Sequence, residues 1–165
     1  MNASRQNLAA VSLEVAVDGF ESGFEAQLEI WADAAIRCGG KPLEKRFAVN
    51  VKIVDEEESR ELNNRFRSIP RATNVLAFPV GELAFRTNNA IAELGDLAIC
   101  MPVVQREAVE QNKEFAAHMA HMVVHGTLHL MGYDHGNDPD AADMEAREQR
   151  ALAALGFPDP YAAAS

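Results

Sequence analysis

The chain has 165 residues, 48% of them apolar and 24% charged, with a formal net charge of −10. That is enough for one domain with its own core, spanning 1–165, and it is the composition of a globular protein rather than a disordered or fibrous one. No apolar run approaches the roughly eighteen residues of a membrane span, so no membrane association is expected.

Met1 to Val17 contains Arg5 but no continuous apolar stretch, since Glu14 interrupts it, and it does not read as a signal peptide. Cys38 and Cys100 stand singly and far apart, which argues against a disulfide framework and fits a reducing cytoplasm. The acidic balance weighs against a nucleic-acid partner, because such binding relies on Lys and Arg at phosphates. The distribution eases this: ten of the fifteen basic residues fall between Arg37 and Arg86, and Arg60, Arg65, Arg67 and Arg71 lie within twelve positions.

In chain order, Val11–Val17 alternates apolar and polar residues, as a half-buried strand does. Phe24–Ile36 spaces Phe24, Leu28, Trp31 and Ala35 for a helix, stopped by Gly39-Gly40 and Pro42. Phe47–Val54 alternates again. Asp55, with Glu58 three residues on, predicts an N-cap for a helix to Phe66. Ser68–Ala72 reads as a loop, Asn74–Val80 as a short strand, Gly81–Glu93 as a loop or hairpin excursion, and Leu94–Met101 as another strand.

Pro102 suits the first turn of a helix to about Gln111. A helix follows over Lys113–Met131. Asp138, as N-cap before Pro139, opens a last one to about Leu155, closed by Gly156. The final alanines, Ala162–Ala164, are expected to fray. This order predicts an α+β fold: a small mixed sheet of about four strands packed with about five helices.

The stretch with most chemistry is His125-Gly126-Thr127-Leu128-His129-Leu130-Met131-Gly132-Tyr133-Asp134-His135, or H-x-x-x-H-x-x-G-x-x-H. His125 and His129 are one helical turn apart on one face, roughly 6 Å along the axis. Gly132 can take the left-handed backbone that ends a helix, and the chain can then bring His135 back to the same point. Three neutral imidazoles without a fourth protein ligand describe an open zinc position of the catalytic kind, expected to hold one ion. Three-imidazole sites accept several metals, so nickel stays open beside zinc. Metzincin proteases carry nearly this pattern, with a glutamate after the first histidine as general base. Gly126 stands there instead and cannot take a proton, which disfavours peptide hydrolysis.

The run His121–His135 resembles the signature of the YbeY family of bacterial rRNA maturation endoribonucleases. Leu62–Pro79 agrees, as do Leu94–Ile99 and the tail from Met144-Glu145 to Leu155-Gly156, so that the likeness runs from about Val49 to Tyr161. It implies a zinc-dependent, single-strand-specific endoribonuclease. The implied roles are 16S rRNA 3′-end maturation and late-stage 70S ribosome quality control in the cytoplasm. The implied partners are single-stranded rRNA, the small subunit, ribosomal proteins and a ribosome-associated GTPase. Arg67 matches the family's functionally important arginine and is the expected catalytic clamp, since a guanidinium fork suits a phosphate. Asn74, Ala77, Ala72 and Ser68 depart from the family pattern, where Asp, Ser, Pro and Gly are commoner, which bears on the loop around Arg67.

The general base stays open between Asp134, beside the third histidine, and Asp96 in the L-G-D strand. Asp134 serves equally as a turn residue, and Gly95 next to Asp96 suggests close backbone approach. Water or the RNA's own 2′-hydroxyl are both possible nucleophiles. Arg60, Arg65, Arg71 and His121 are candidate RNA contacts, although His118 and His121 read first as polar positions on their helix. Phe66, Phe78 and Phe85 flank the arginines and are candidate stacking platforms, although Phe78, inside its strand, reads first as core. Two further readings stand: a ribosome assembly factor with a mainly structural metal, and a metal-dependent hydrolase of another substrate.

Overall fold

The structure is a computed structural model, and it describes residues 6–20, 24–41 and 45–162. Arg5, Pro42 and the alanine tail from Ala163 lie outside the described residues.

Four strands form one mixed sheet: β1 (Ala9–Val15), β2 (Arg46–Val54), β3 (Val75–Pro79) and β4 (Ile91–Cys100). Their spatial order is β1-β2-β4-β3, with β1, β2 and β4 parallel and β3 antiparallel to β4. The helices are α1 (Glu25–Cys38), α2 (Glu56–Arg67), α3 (Leu83–Arg86), α4 (Met101–Glu110), α5 (Phe115–Leu130) and α6 (Asp138–Ala154). The α+β reading holds.

The differences are local. The segment expected to be a loop before Leu94 contains the one-turn α3 and the first three residues of β4. Phe85 on α3 turns inward against Phe47, with ring centroids 5.7 Å apart, so it is core rather than a free stacking face. β4 begins early because its Ile91–Glu93 end pairs with Arg46–Ala48 across a bulge. Gly95 is what the bulge needs: its φ is +147°, and a Cβ there would collide with the Phe78 carbonyl of β3.

The sheet has two unlike faces. Val49, Val51, Ile53, Leu97 and Ile99 are buried in the main apolar core, which α1, α5 and α6 share. On the other face Ser12, Asn50 and Asp96 lie side by side in register, as do Glu14, Lys52 and Ala98. These polar residues and α2 line a groove of about 780 Å³.

The ends of the helices that carry function are set by local chemistry. Asp55 caps α2 as expected, its Oδ1 accepting from the Glu58 amide at 2.9 Å. Ser68 ends α2 at φ +58°, a left-handed conformation that costs a non-glycine residue about 1 kcal/mol. α6 starts one residue earlier than expected: Asn137, not Asp138, is the N-cap, accepting from the Asp140 amide at 2.9 Å. Asp138 instead places its charge in the first turn, where the helix dipole favours it.

Candidate metal centre

α5 is the most buried helix of the fold. Met119, Val123, Val124 and Leu128 are fully buried, and Gly126 presses on the sheet. A Cβ at Gly126 would lie 2.7 Å from Leu97 Cδ2 and 3.2 Å from Val75 Cγ2. The position after the first histidine therefore faces β4 and β3, and a glutamate could not point from it toward the histidines.

His125 and His129 leave α5 on its other side. The helix stops at Met131, and Gly132 takes φ +103°. The Gly132 amide donates to the His129 carbonyl at 3.0 Å, and the Tyr133 amide to the Leu128 carbonyl at 3.1 Å. This is a Schellman closure, and it turns the chain back so that His135 meets the other two. Ring centroids are 4.7 Å apart for His125–His129, 5.0 Å for His129–His135 and 5.3 Å for His125–His135. One ring nitrogen from each lies within 4.8 Å of the others, a spacing that can hold a metal ion.

The electrostatics suit a cation ligated by neutral rings. Burial, then the neighbouring His125 and His135, lower the His129 imidazole from 6.5 to about 4, with Arg67 adding to the shift. The ring is thus neutral at physiological pH, which is the ligating form. Arg67 itself is anchored at the end of α2. Its Nη2 donates to the Ala77 carbonyl at 3.5 Å, across from α2 to β3.

A buried glutamate that the sequence reading missed stands behind the cluster. Glu148 of α6 is fully buried, and its Oε1 pairs with His125 Nδ1. Its Oε2 is 3.2 Å from His121 Nε2 and accepts the Tyr161 hydroxyl. Burial alone would raise this carboxyl; the hydrogen bonds from His121, His125 and Tyr161 outweigh it and hold the group at about 2. Burial and the Glu148 charge together push the Tyr161 phenol upward. A signal existed in the sequence. Glu148 falls at helical spacing with Met144, Ala151 and Leu152, the buried stripe of α6.

The remaining candidates separate. Asp134 is exposed beside His135, and its Oδ1 accepts from the His135 amide at 2.7 Å; no imidazole hydrogen bond reaches it among the described residues. Asp96 lies on the groove side of the sheet, accepting from Asn50 Nδ2 at 2.8 Å, whereas its neighbour Leu97 faces α5. The sheet thus separates Asp96 from the histidines, which corrects its reading as a base or outer-sphere partner. His121 is 8% exposed and turned onto Glu148, so it offers no free surface to RNA. His118 is buried as well, its Nε2 3.0 Å from Glu107 Oε1, and burial lowers its imidazole. Both are polar positions on α5, each buried and paired with a carboxylate. Arg60, Arg65 and Arg71 are exposed, with Arg65 over the Phe66 ring at 5.5 Å. Phe66 is 57% exposed and edge-on to Phe78 at 5.1 Å.

The chain as a whole has counterparts. The family model described as Endoribonuclease YbeY matches residues 19–156. The chain belongs to the endoribonuclease YbeY family. Among YbeY relatives, one from Pseudomonas syringae pv. syringae is 50% identical over 138 residues, covering 84% of this chain and 80% of that protein. Another, from Pseudomonas putida, is 49% identical over 141 residues, covering 84% of each. Both are named Endoribonuclease YbeY. A solution structure of a protein from Thermotoga maritima matches at a TM-score of 0.52 and 26% identity, covering 92% of this chain and all of that one. The YbeY match spans both α5 and α6, so the histidine cluster and Glu148 lie inside the shared region.

Proposed function

We propose that the chain acts as a single zinc-dependent endoribonuclease domain that cuts single-stranded RNA. The observation that carries this is the convergence of His125, His129 and His135, with ring nitrogens within 4.8 Å, in a member of a family named for endoribonuclease activity. A zinc ion bound there would supply a Lewis acid for phosphoryl oxygens and a lowered pKa for water. The residues themselves divide the rest of the work. The three neutral rings would hold the ion without cancelling its charge. The Arg67 guanidinium grips a non-bridging phosphate oxygen and favours the extra negative charge that develops in cleavage. The exposed Phe66 face offers a stacking surface for an unpaired base, and Arg60, Arg65 and Arg71 offer phosphate contacts on an otherwise acidic molecule. 16S rRNA 3′-end maturation, late 70S quality control, and the small-subunit, ribosomal-protein and GTPase partners rest on family likeness alone. A cytoplasmic location fits the two lone cysteines; no helix is long and apolar enough to cross a membrane among the described residues.

The test is metal removal. An unstructured RNA oligonucleotide incubated with purified protein, made without a histidine tag, should be cut. Cleavage should cease when zinc is stripped by a chelator and return when zinc is restored, while circular dichroism shows the metal-free chain still folded. Full cleavage after stripping would overturn the reading. Unfolding on stripping would favour the assembly-factor alternative with a structural metal.

A further inference from the structure

His121, His125 and Glu148 also place ligand-type atoms within 4.8 Å of one another, which by spacing alone would describe a second metal site. The hydrogen bonds argue for a different role. Both oxygens of Glu148 are already engaged, Oε1 by His125 Nδ1 and Oε2 by His121 Nε2 and the Tyr161 hydroxyl. A carboxylate accepts only, so each of these partners must be donating. His125 is then protonated at Nδ1, and its lone pair is at Nε2. His121 is protonated at Nε2, which leaves its buried Nδ1 as an unpartnered acceptor. An unpartnered lone pair is cheaper to bury than an unpartnered N–H, so this assignment is also the least costly one.

We propose that Glu148 and Tyr161 form a positioning relay that fixes which nitrogen of His125 faces the metal, so that the C-terminal segment tunes metal affinity. This rests on reading the three histidines as a metal site. The geometry shows how a side chain beyond the last helix takes part. Gly156 turns the chain at φ +85°, and the Phe157 amide donates back to the Leu152 carbonyl at 2.9 Å. The Phe157 ring then packs edge-on to Trp31 of α1 at 6.1 Å. Gln149 donates to Asp159 at 3.1 Å, and Lys113 Nζ to the Pro160 carbonyl at 3.0 Å. With the segment tied down on both sides, the Tyr161 ring lies edge-on to His121 at 5.5 Å and its hydroxyl reaches Glu148. Tyr161 is 44% exposed, so its packing contributes little, and what it adds is the hydrogen bond. A metal-ligating histidine normally donates its second N–H to such a carboxylate, which sets ring orientation and raises ligand basicity. Here the carboxylate is itself held by a donor from the chain's end.

The full-length chain, its Glu148→Gln and Tyr161→Phe variants, and His129→Ala as a reference would be compared by zinc competition against a chromophoric chelator. The ¹⁵N spectrum of the metal-free imidazoles would report the His125 tautomer. Glu148→Gln should weaken zinc binding about 10- to 100-fold, as loss of an outer-sphere carboxylate does. Tyr161→Phe should weaken it about two- to tenfold, the worth of one hydrogen bond, and lower the metal-free melting temperature by only a few degrees, since Glu148 keeps its two histidine donors. In both, part of the His125 population should move its proton from Nδ1 to Nε2. If wild type binds zinc and His129→Ala does not, yet both relay variants keep wild-type affinity and tautomer, the relay is refuted and the metal site stands. If wild type binds no zinc, or His129→Ala binds it as tightly, the site itself is misread and the relay falls with it.

Discussion

Replacing His129 by alanine should lower the rate of RNA cleavage by about 10³-fold and abolish stoichiometric zinc binding, with the fold intact. The magnitude follows from the several kcal/mol that a metal contributes at a developing phosphoryl charge, at about 1.4 kcal/mol per tenfold in rate. His129 is the ligand to choose because its ring makes no side-chain hydrogen bond among the described residues, and the folded state already holds it neutral. Removing it strands no partner. His125 is a poorer choice: its loss leaves the fully buried Glu148 short of a donor, so reduced activity would be mixed with reduced stability. Arg67→Ala in the same assay separates the clamp from the cation. It should lose about 10²-fold in rate while keeping its zinc, as removal of one charge-stabilising donor does. The measurements are single-turnover cleavage and metal content by mass spectrometry. A His129→Ala protein that cuts RNA at the wild-type rate would end the metal-dependent reading.

Gly126→Glu should unfold the protein rather than convert it into a protease, costing more than about 3 kcal/mol. A Cβ at this position already meets Leu97 at 2.7 Å and Val75 at 3.2 Å, and the site is fully enclosed between α5 and the sheet. The added carboxylate would be buried in an apolar contact with no donor opposite it. Gly126→Ala isolates the steric part, and about 1 to 3 kcal/mol is expected from overpacking. Urea denaturation of the metal-free variants measures both. If Gly126→Glu folded with wild-type stability, α5 would have to sit differently on β3 and β4.

Much of this molecule was readable in one dimension where a single local rule governed the outcome. The period of two in Phe47–Val54 and the Asp55 cap predict β2 and the start of α2 closely, because alternation and capping act within a few residues. The histidine spacing predicts the cluster because a helical turn and a glycine stop are also local. What escaped depends on which side of an element faces what. Glu148 reads as part of an acidic stretch until α6 is packed against α5, although its place in the Met144–Leu152 stripe marked it. Asp96 is paired with the wrong site unless strand parity is followed: Leu97 faces α5, so Asp96 must face away. The pairing of His118 and His121 does not show in the sequence because their carboxylate partners lie on α4 and α6, 11 and 27 residues distant. α3, four residues long, is too short for any periodicity to show.

His125 and His129 ride on a stiff rod wedged in the interior, whereas His135 hangs from a wet bend hinged at Gly132. Capture and release of an ion would therefore be unequal events around the ring of donors, with the exposed third donor expected to let go first. Shortening or stiffening that bend should change how fast zinc exchanges while leaving the sheet intact, which stopped-flow chelation would measure.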